Sequence, residues 1–200
     1  MAARNVPLEE ALTMVADDLS FKLIRLIEEM RQAGDPMSPE ALERLAATLG
    51  SAFGAKPDEV AILHLSGDGM LRFVTPVKLS KLGSIPITNS HSLAVKTIRE
   101  KRGEFINNFS SYHHPTVFEA VDLSTERKAA PIQKIVSVPI LADGKVMGVI
   151  QVSRKGRTGE SAGPDFTPRD LAELTTAATI LSKLLSLLPD SGGAGKRSPA

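Results

Sequence analysis

The side chains best suited to binding a small molecule are gathered between Asn107 and Ser137. Asn107, Asn108 and Phe109 come first. Two adjacent primary amides donate to and accept from a heterocycle or a carbonyl, and asparagine equally caps turns and bonds to nearby backbone. Tyr112, His113 and His114 follow as an aromatic–imidazole cluster. Neighbouring histidines in extended chain point to opposite sides, so one metal ion does not take both. No Glu-x-x-His motif accompanies them, and no metal ligand set is assigned. Phe118, Asp122 and Thr125 continue the series, then Gln133 and Ser137. Ser137 stands among apolar strand neighbours; its hydroxyl either faces a pocket or bonds to an adjacent strand.

Catalysis finds little support. The chain has no cysteine, which removes thiolate nucleophiles, zinc–thiolate sites and thiol redox chemistry. Serine, histidine and aspartate are present, but nothing reads as a nucleophile elbow: the string Gly159-Glu160-Ser161-Ala162-Gly163 falls inside a Gly/Ser-rich loop rather than on a sharp strand-to-helix turn. No catalytic residue is assigned, and the chain is read as non-enzymatic. Its 24 basic and 23 acidic residues leave a net charge of +1, no electrostatic footprint for nucleic acid. No apolar run approaches the ~20 residues that span a bilayer. The first residues lack the apolar core of a signal peptide. A cytoplasmic protein with no nucleic-acid or membrane partner is expected.

The elements that must hold these residues are organised around Ile135–Lys155. Two β-branched runs flank Asp143-Gly144, a dipeptide that accepts positive φ and suits a two-residue hairpin turn. Gly148 inside the return strand points to a bulge or a close backbone approach. Residues 1–6 are expected to be disordered. A helix is expected over 7–34, with Leu12, Leu19 and Leu26 on one apolar stripe. Ser38-Pro39-Glu40 starts a second helix. Strands follow over 59–65, 70–76 and 82–87, then a helix from the Thr88-Asn89-Ser90 caps to Arg102, closed by Gly103 as its left-handed residue. A short strand over 104–107 leads into a loop-rich segment read as a binding lid. Lys134 is expected to face solvent. Thr167-Pro168-Arg169-Asp170 caps a last helix reaching about Leu188. Its Leu174, Leu181 and Leu185, with the first helix's leucines, form a heptad-like seam that predicts a homodimer. Residues 189–200 read as a disordered tail.

In this order the elements resemble a GAF domain, over roughly residues 38–188. The resemblance rests on Ser137-Val-Pro-Ile, on Gly144-Lys-Val-Met-Gly-Val-Ile-Gln-Val, and on Phe166-Thr-Pro-Arg-Asp-Leu171. It implies an α+β fold: a central antiparallel sheet of about six strands, helices on one face, and the N- and C-terminal helices packed together. It also implies a ligand under a lid over 107–125 and dimers built on the terminal helices. The cyclic-nucleotide class is matched in part. Lys155, Phe166 and Asp170 fall on its motif, whereas Arg154 and Leu171 depart from it. Phe118, Asp122 and Thr125 resemble its lid residues, at a longer interval to Pro139. A Lys155–Asp170 salt bridge locking strand to helix is the expectation there. Covalent bilin and iron–sulfur binding need cysteine and are excluded. Two functions follow. One is a sensor passing a ligand signal through helix packing to a separate output protein. The other is a domain whose pocket is filled by its own side chains, with Phe105, Phe109 and Phe118 as fillers, kept for dimerisation or scaffolding.

Overall fold

A computed structural model describes residues 18–81, 83–111 and 130–188. Leu12, Tyr112, His113, Phe118, Asp122 and Thr125 lie outside the described residues, as do both expected disordered ends.

The sheet is antiparallel throughout and six-stranded, in the order β3-β2-β1-β6-β5-β4. The strands are β1 (Val60–Leu65), β2 (Met70–Thr75), β3 (Ser84–Pro86), β4 (Glu104–Ile106), β5 (Ile132–Ala142) and β6 (Lys145–Lys155). The helices are α1 (Leu19–Gln32), α2 (Pro39–Ala52), α3 (Leu93–Glu100) and α4 (Pro168–Leu185). The β5–β6 hairpin lies near the centre, and Asp143 (φ 49°) and Gly144 (φ 75°) turn it, both at the positive φ of a type I′ connection. Lys101 Nζ donates to the Gly144 carbonyl at 2.9 Å and pins the turn.

Both faces of the sheet are covered. Val60, Ile62, Val136, Val138, Ile150 and Val152 pack under α1, α2 and α4. The alternate residues Ala61, Leu63, Leu71, Phe73, Ile135 and Val149 pack against α3. The three long helices thus share one face, and the short α3 closes the other.

Helix starts follow local chemistry. Ser38 Oγ accepts from Ala41 N, with Pro39 in the first turn. Thr167 and Asp170 form a reciprocal capping box, with Thr167 N donating to Asp170 Oδ2 at 2.7 Å. Of the helix expected over 7–34, residues 7–17 lie outside the described residues, and the described part is α1, with Asp18 as its N-cap. Asp18 is extended, and its carboxylate accepts from Ser20 N and Phe21 N, the geometry of an N-cap. Those same bonds, Ser20's first, hold the Asp18 carboxyl below its ordinary range. α3 is capped by Ser92 rather than by residues 88–90. Its left-handed residue is Lys101 (φ 51°), not Gly103. Gly103 serves packing: a Cβ there would stand 2.9 Å from Leu171 Cδ1 and 3.1 Å from Val138 Cγ2.

The leucine seam is also corrected. Leu19, Leu26, Leu174, Leu181 and Leu185 are all buried within one chain, in the core that joins α1, α4 and the sheet. Their heptad-like spacing records helix packing inside the protomer. The large apolar side chains that α1 leaves in water are Phe21 and Ile24, 46% and 55% exposed.

At Gly148 β6 runs tightly against β1: a Cβ built on it would lie 2.0 Å from Leu63 O. Gly148→Ala is therefore expected to lower unfolding free energy by roughly 1–3 kcal/mol or more, as the central ladder moves apart. Urea denaturation of the two proteins checks this.

Candidate functional site

On the α3 side of the sheet three polar side chains meet inside an apolar layer. Ser137 (β5) stands directly opposite Gln151 (β6) in the register. Gln151 Nε2 donates to Ser137 Oγ at 3.0 Å. Ser137 Oγ lies 2.7 Å from Thr97 Oγ1 on α3, which itself donates to Leu93 O at 2.9 Å. With the Thr97 proton on that carbonyl, the Ser137 hydroxyl donates to Thr97. The string then runs one way: Gln151, Ser137, Thr97, Leu93 O. Thr97 and Ser137 are fully buried, and Gln151 nearly so. Each bond satisfies a group that would otherwise cost free energy in an apolar surrounding.

Of the residues expected to contact a ligand, Phe109 shares this layer with Ser137. Phe109 is 1% exposed and packs with Ile106, Ile132 and Ile135. Two of the three described amides, those of Asn107 and Gln133, are spent elsewhere. Asn107 pairs with the backbone of Phe166: Nδ2 donates to Phe166 O at 3.0 Å and Oδ1 accepts from Phe166 N at 2.8 Å. That clamp joins β4 to the start of α4. Gln133 Nε2 donates to Gly156 O at 2.9 Å and closes the base of the hairpin. Asn108 is exposed, and its carbonyl accepts from Ser111 N in a single turn of 3₁₀ helix. Phe105 packs on the opposite face, against the long helices.

Thr97 and Gln151 were not singled out by sequence reasoning. The signal available for Gln151 is one amide within the apolar run Val149–Val152, and for Thr97 one hydroxyl on the buried stripe of a helix. The expected Lys155–Asp170 bridge is absent. Lys155 Nζ pairs with Asp58 at 3.8 Å, and Asp170 is committed to capping its own helix. The link between the strand and the α4 start is instead Arg154, whose guanidinium stacks 4.5 Å from the Phe166 ring centroid. Lys134 is buried rather than in solvent, with Nζ 2.7 Å from Asp165 Oδ1. A cavity of about 480 Å³ lies away from Ser137, between α2 and the turns around Pro57 and Pro76. No group of three or more potential metal ligands occurs among the described residues.

A family model for the GAF domain matches residues 37–186. The chain belongs to the GAF domain family. Solved structures carry the same fold at low identity. The GAF domain of an Acinetobacter phosphoenolpyruvate-protein phosphotransferase superposes with a TM-score of 0.57 at 16% identity, covering 82% of this chain and 90% of that one. The corresponding domain from Coxiella burnetii gives 0.55 at 14%, covering 84% and 94%. A free methionine-R-sulfoxide reductase from Neisseria meningitidis, solved with its substrate, gives 0.55 at 16%, covering 93% and 96%. No curated protein matches the sequence. GAF domains are in general regulatory domains that bind small molecules, and the fold also serves enzymes such as that reductase. No helix among the described residues is long and apolar enough to cross a membrane.

The Asn107 clamp makes a direct prediction. Asn107→Ala orphans the N–H and carbonyl of Phe166 together and is expected to cost about 1–3 kcal/mol of stability. Thermal and urea unfolding read this, and an unchanged midpoint would show that Asn107 does not support α4.

Proposed function

We propose that this GAF domain is a non-catalytic sensory module that takes a small molecule into the layer between α3 and the β5–β6 hairpin. The observation that carries this reading is the Thr97–Ser137–Gln151 string. Three elements bring polar side chains to one point of an otherwise apolar layer, the pattern of a site with a few placed polar groups in apolar walls. A ligand there exchanges its own polar atoms for the internal bonds and displaces α3 from the sheet. Such a ligand shifts the domain only by as much as it prefers the displaced arrangement. The signal then passes to a separate output protein in the cytoplasm.

The unit that transmits it is a homodimer. Phe21 and Ile24, three residues apart on α1, present one exposed apolar patch. Arg25 and Glu28 border it, and an antiparallel two-fold pairing of α1 helices sets Arg25 of one copy near Glu28 of the other. A second reading, a domain with a filled pocket that acts as a dimerisation scaffold, is favoured by Phe109, which occupies the same layer with Ile106 and Ile135.

Native mass spectrometry of freshly purified protein, compared with its denatured mass, separates the two. A dimer carrying extra mass that is lost on denaturation supports the sensor. A dimer at its bare mass supports the scaffold. Ile24→Glu is expected to give monomers in sedimentation velocity with an unchanged circular dichroism spectrum. A persistent dimer places the interface off α1.

A further inference from the structure

The open end of the β5–β6 hairpin carries an unusual charge arrangement. Lys134 and Arg154 are direct cross-strand partners on the face that carries α1, α2 and α4. Each is only 6% exposed. Like charges placed opposite each other on one face repel, and a buried cation without a counterion is costly. The compensation present is incomplete. Lys134 Nζ donates to Gly163 O at 2.6 Å and meets Asp165 Oδ1 at 2.7 Å. Arg154 Nη2 donates to Phe53 O at 2.9 Å, and its guanidinium lies on the Phe166 ring. Arg154 Nε is buried with no hydrogen-bond partner among the described residues. No carboxylate lies within ion-pair distance of Arg154 among the described residues.

The other acids nearby are engaged. Glu59 accepts from Lys155 N and Lys56 N through its two oxygens, and Asp58 pairs with Lys155. Among the described residues the buried pair therefore meets one carboxylate, that of Asp165, which reaches Lys134 alone and whose side chain is 67% exposed. Asp165 covers Lys134 from the solvent side, as a tethered anion would. Gly163 has φ +97°, a conformation that L side chains rarely adopt, and a Cβ built there would be in ordinary contact with Arg154 Nη1 at 3.4 Å. The start of α4 follows at Pro168 and adds the positive end of a helix dipole to the same region.

We propose that Lys134, Arg154 and the segment Gly163–Phe166 form a site for a small oxyanion, a phosphate or carboxylate group, and that Asp165 holds this site closed as a built-in competitor. The site lies on the face of the sheet opposite Ser137 and does not depend on the sensory reading. An external oxyanion displaces the Asp165 carboxylate from Lys134, opens the segment, and supplies the negative charge that the buried pair lacks. Its effect falls on Phe166, the residue that Asn107 and Arg154 both hold at the start of α4.

The test uses the full chain, with inorganic phosphate and acetate titrated against sodium chloride of matched ionic strength, read by thermal shift. In the wild-type protein a weak stabilisation is expected. In Asp165→Asn, which removes the tethered competitor at an exposed position, half-saturation with the preferred anion is expected at a concentration about tenfold lower. In the double variant with Lys134→Met the response is expected to vanish, while circular dichroism reports a folded protein. Preference for phosphate over acetate, or the reverse, names the oxyanion. An Asp165→Asn response no stronger than wild type, or one that survives in the double variant, overturns the proposal.

Discussion

The register of β5 against β6 governs what every other element can do. Side chains alternate along a strand, so a slip of one residue exchanges the contents of the two faces. In the observed register Val136, Val138, Ile150 and Val152 reach the long helices, while Ile135, Ser137, Val149 and Gln151 reach α3. Three features hold that register. The Asp143–Gly144 turn together with the one-residue shift between Ile140 and Leu141 sets the pairing, Gly148 permits the approach of β1, and Gln151 Nε2 meets Ser137 Oγ only when the two stand opposite. A hairpin apolar on both faces would tolerate a slip better. The polar pair under α3 is what makes the two faces chemically different.

The same accounting explains why side chains fit for ligand recognition were found at structural work. A buried backbone N–H or carbonyl needs a partner, and the segments entering α4 and leaving β6 run without strand neighbours of their own. Asn107 supplies both bonds for Phe166, and Gln133 supplies one for Gly156. Primary amides suit this use for the reason that they suit ligands: one group donates and accepts.

Sequence reasoning read well wherever the information was local. The hairpin turn, the Ser38 and Thr167 caps, and the close approach at Gly148 each follow from residue types at fixed short spacings. The family was legible from the same stretches, because they lie on the hairpin and the α4 start. It read poorly wherever one residue's role depends on which distant element comes near. The spacing of Leu174, Leu181 and Leu185 is the same for a seam between chains and for a core within one, and the core won because α1 and the sheet are at hand. Lys134 in a strand pattern carries no sign that a loop 29 residues later will cover it. Asn107 and Phe166 are 59 residues apart.

The pairing of Lys134 with Arg154 has a consequence for the order in which the chain assembles. The turn end of the hairpin closes on local chemistry alone, but its open end sets two cations face to face. That end gains its counter-charge and its aromatic cover only when Gly163–Phe166 arrives. Zipping from the turn is therefore expected to stall short of Lys134 until the last helix docks. Docking of α4 is a condition for completing the sheet rather than a step added after it, and the two halves of this domain fold as one cooperative unit.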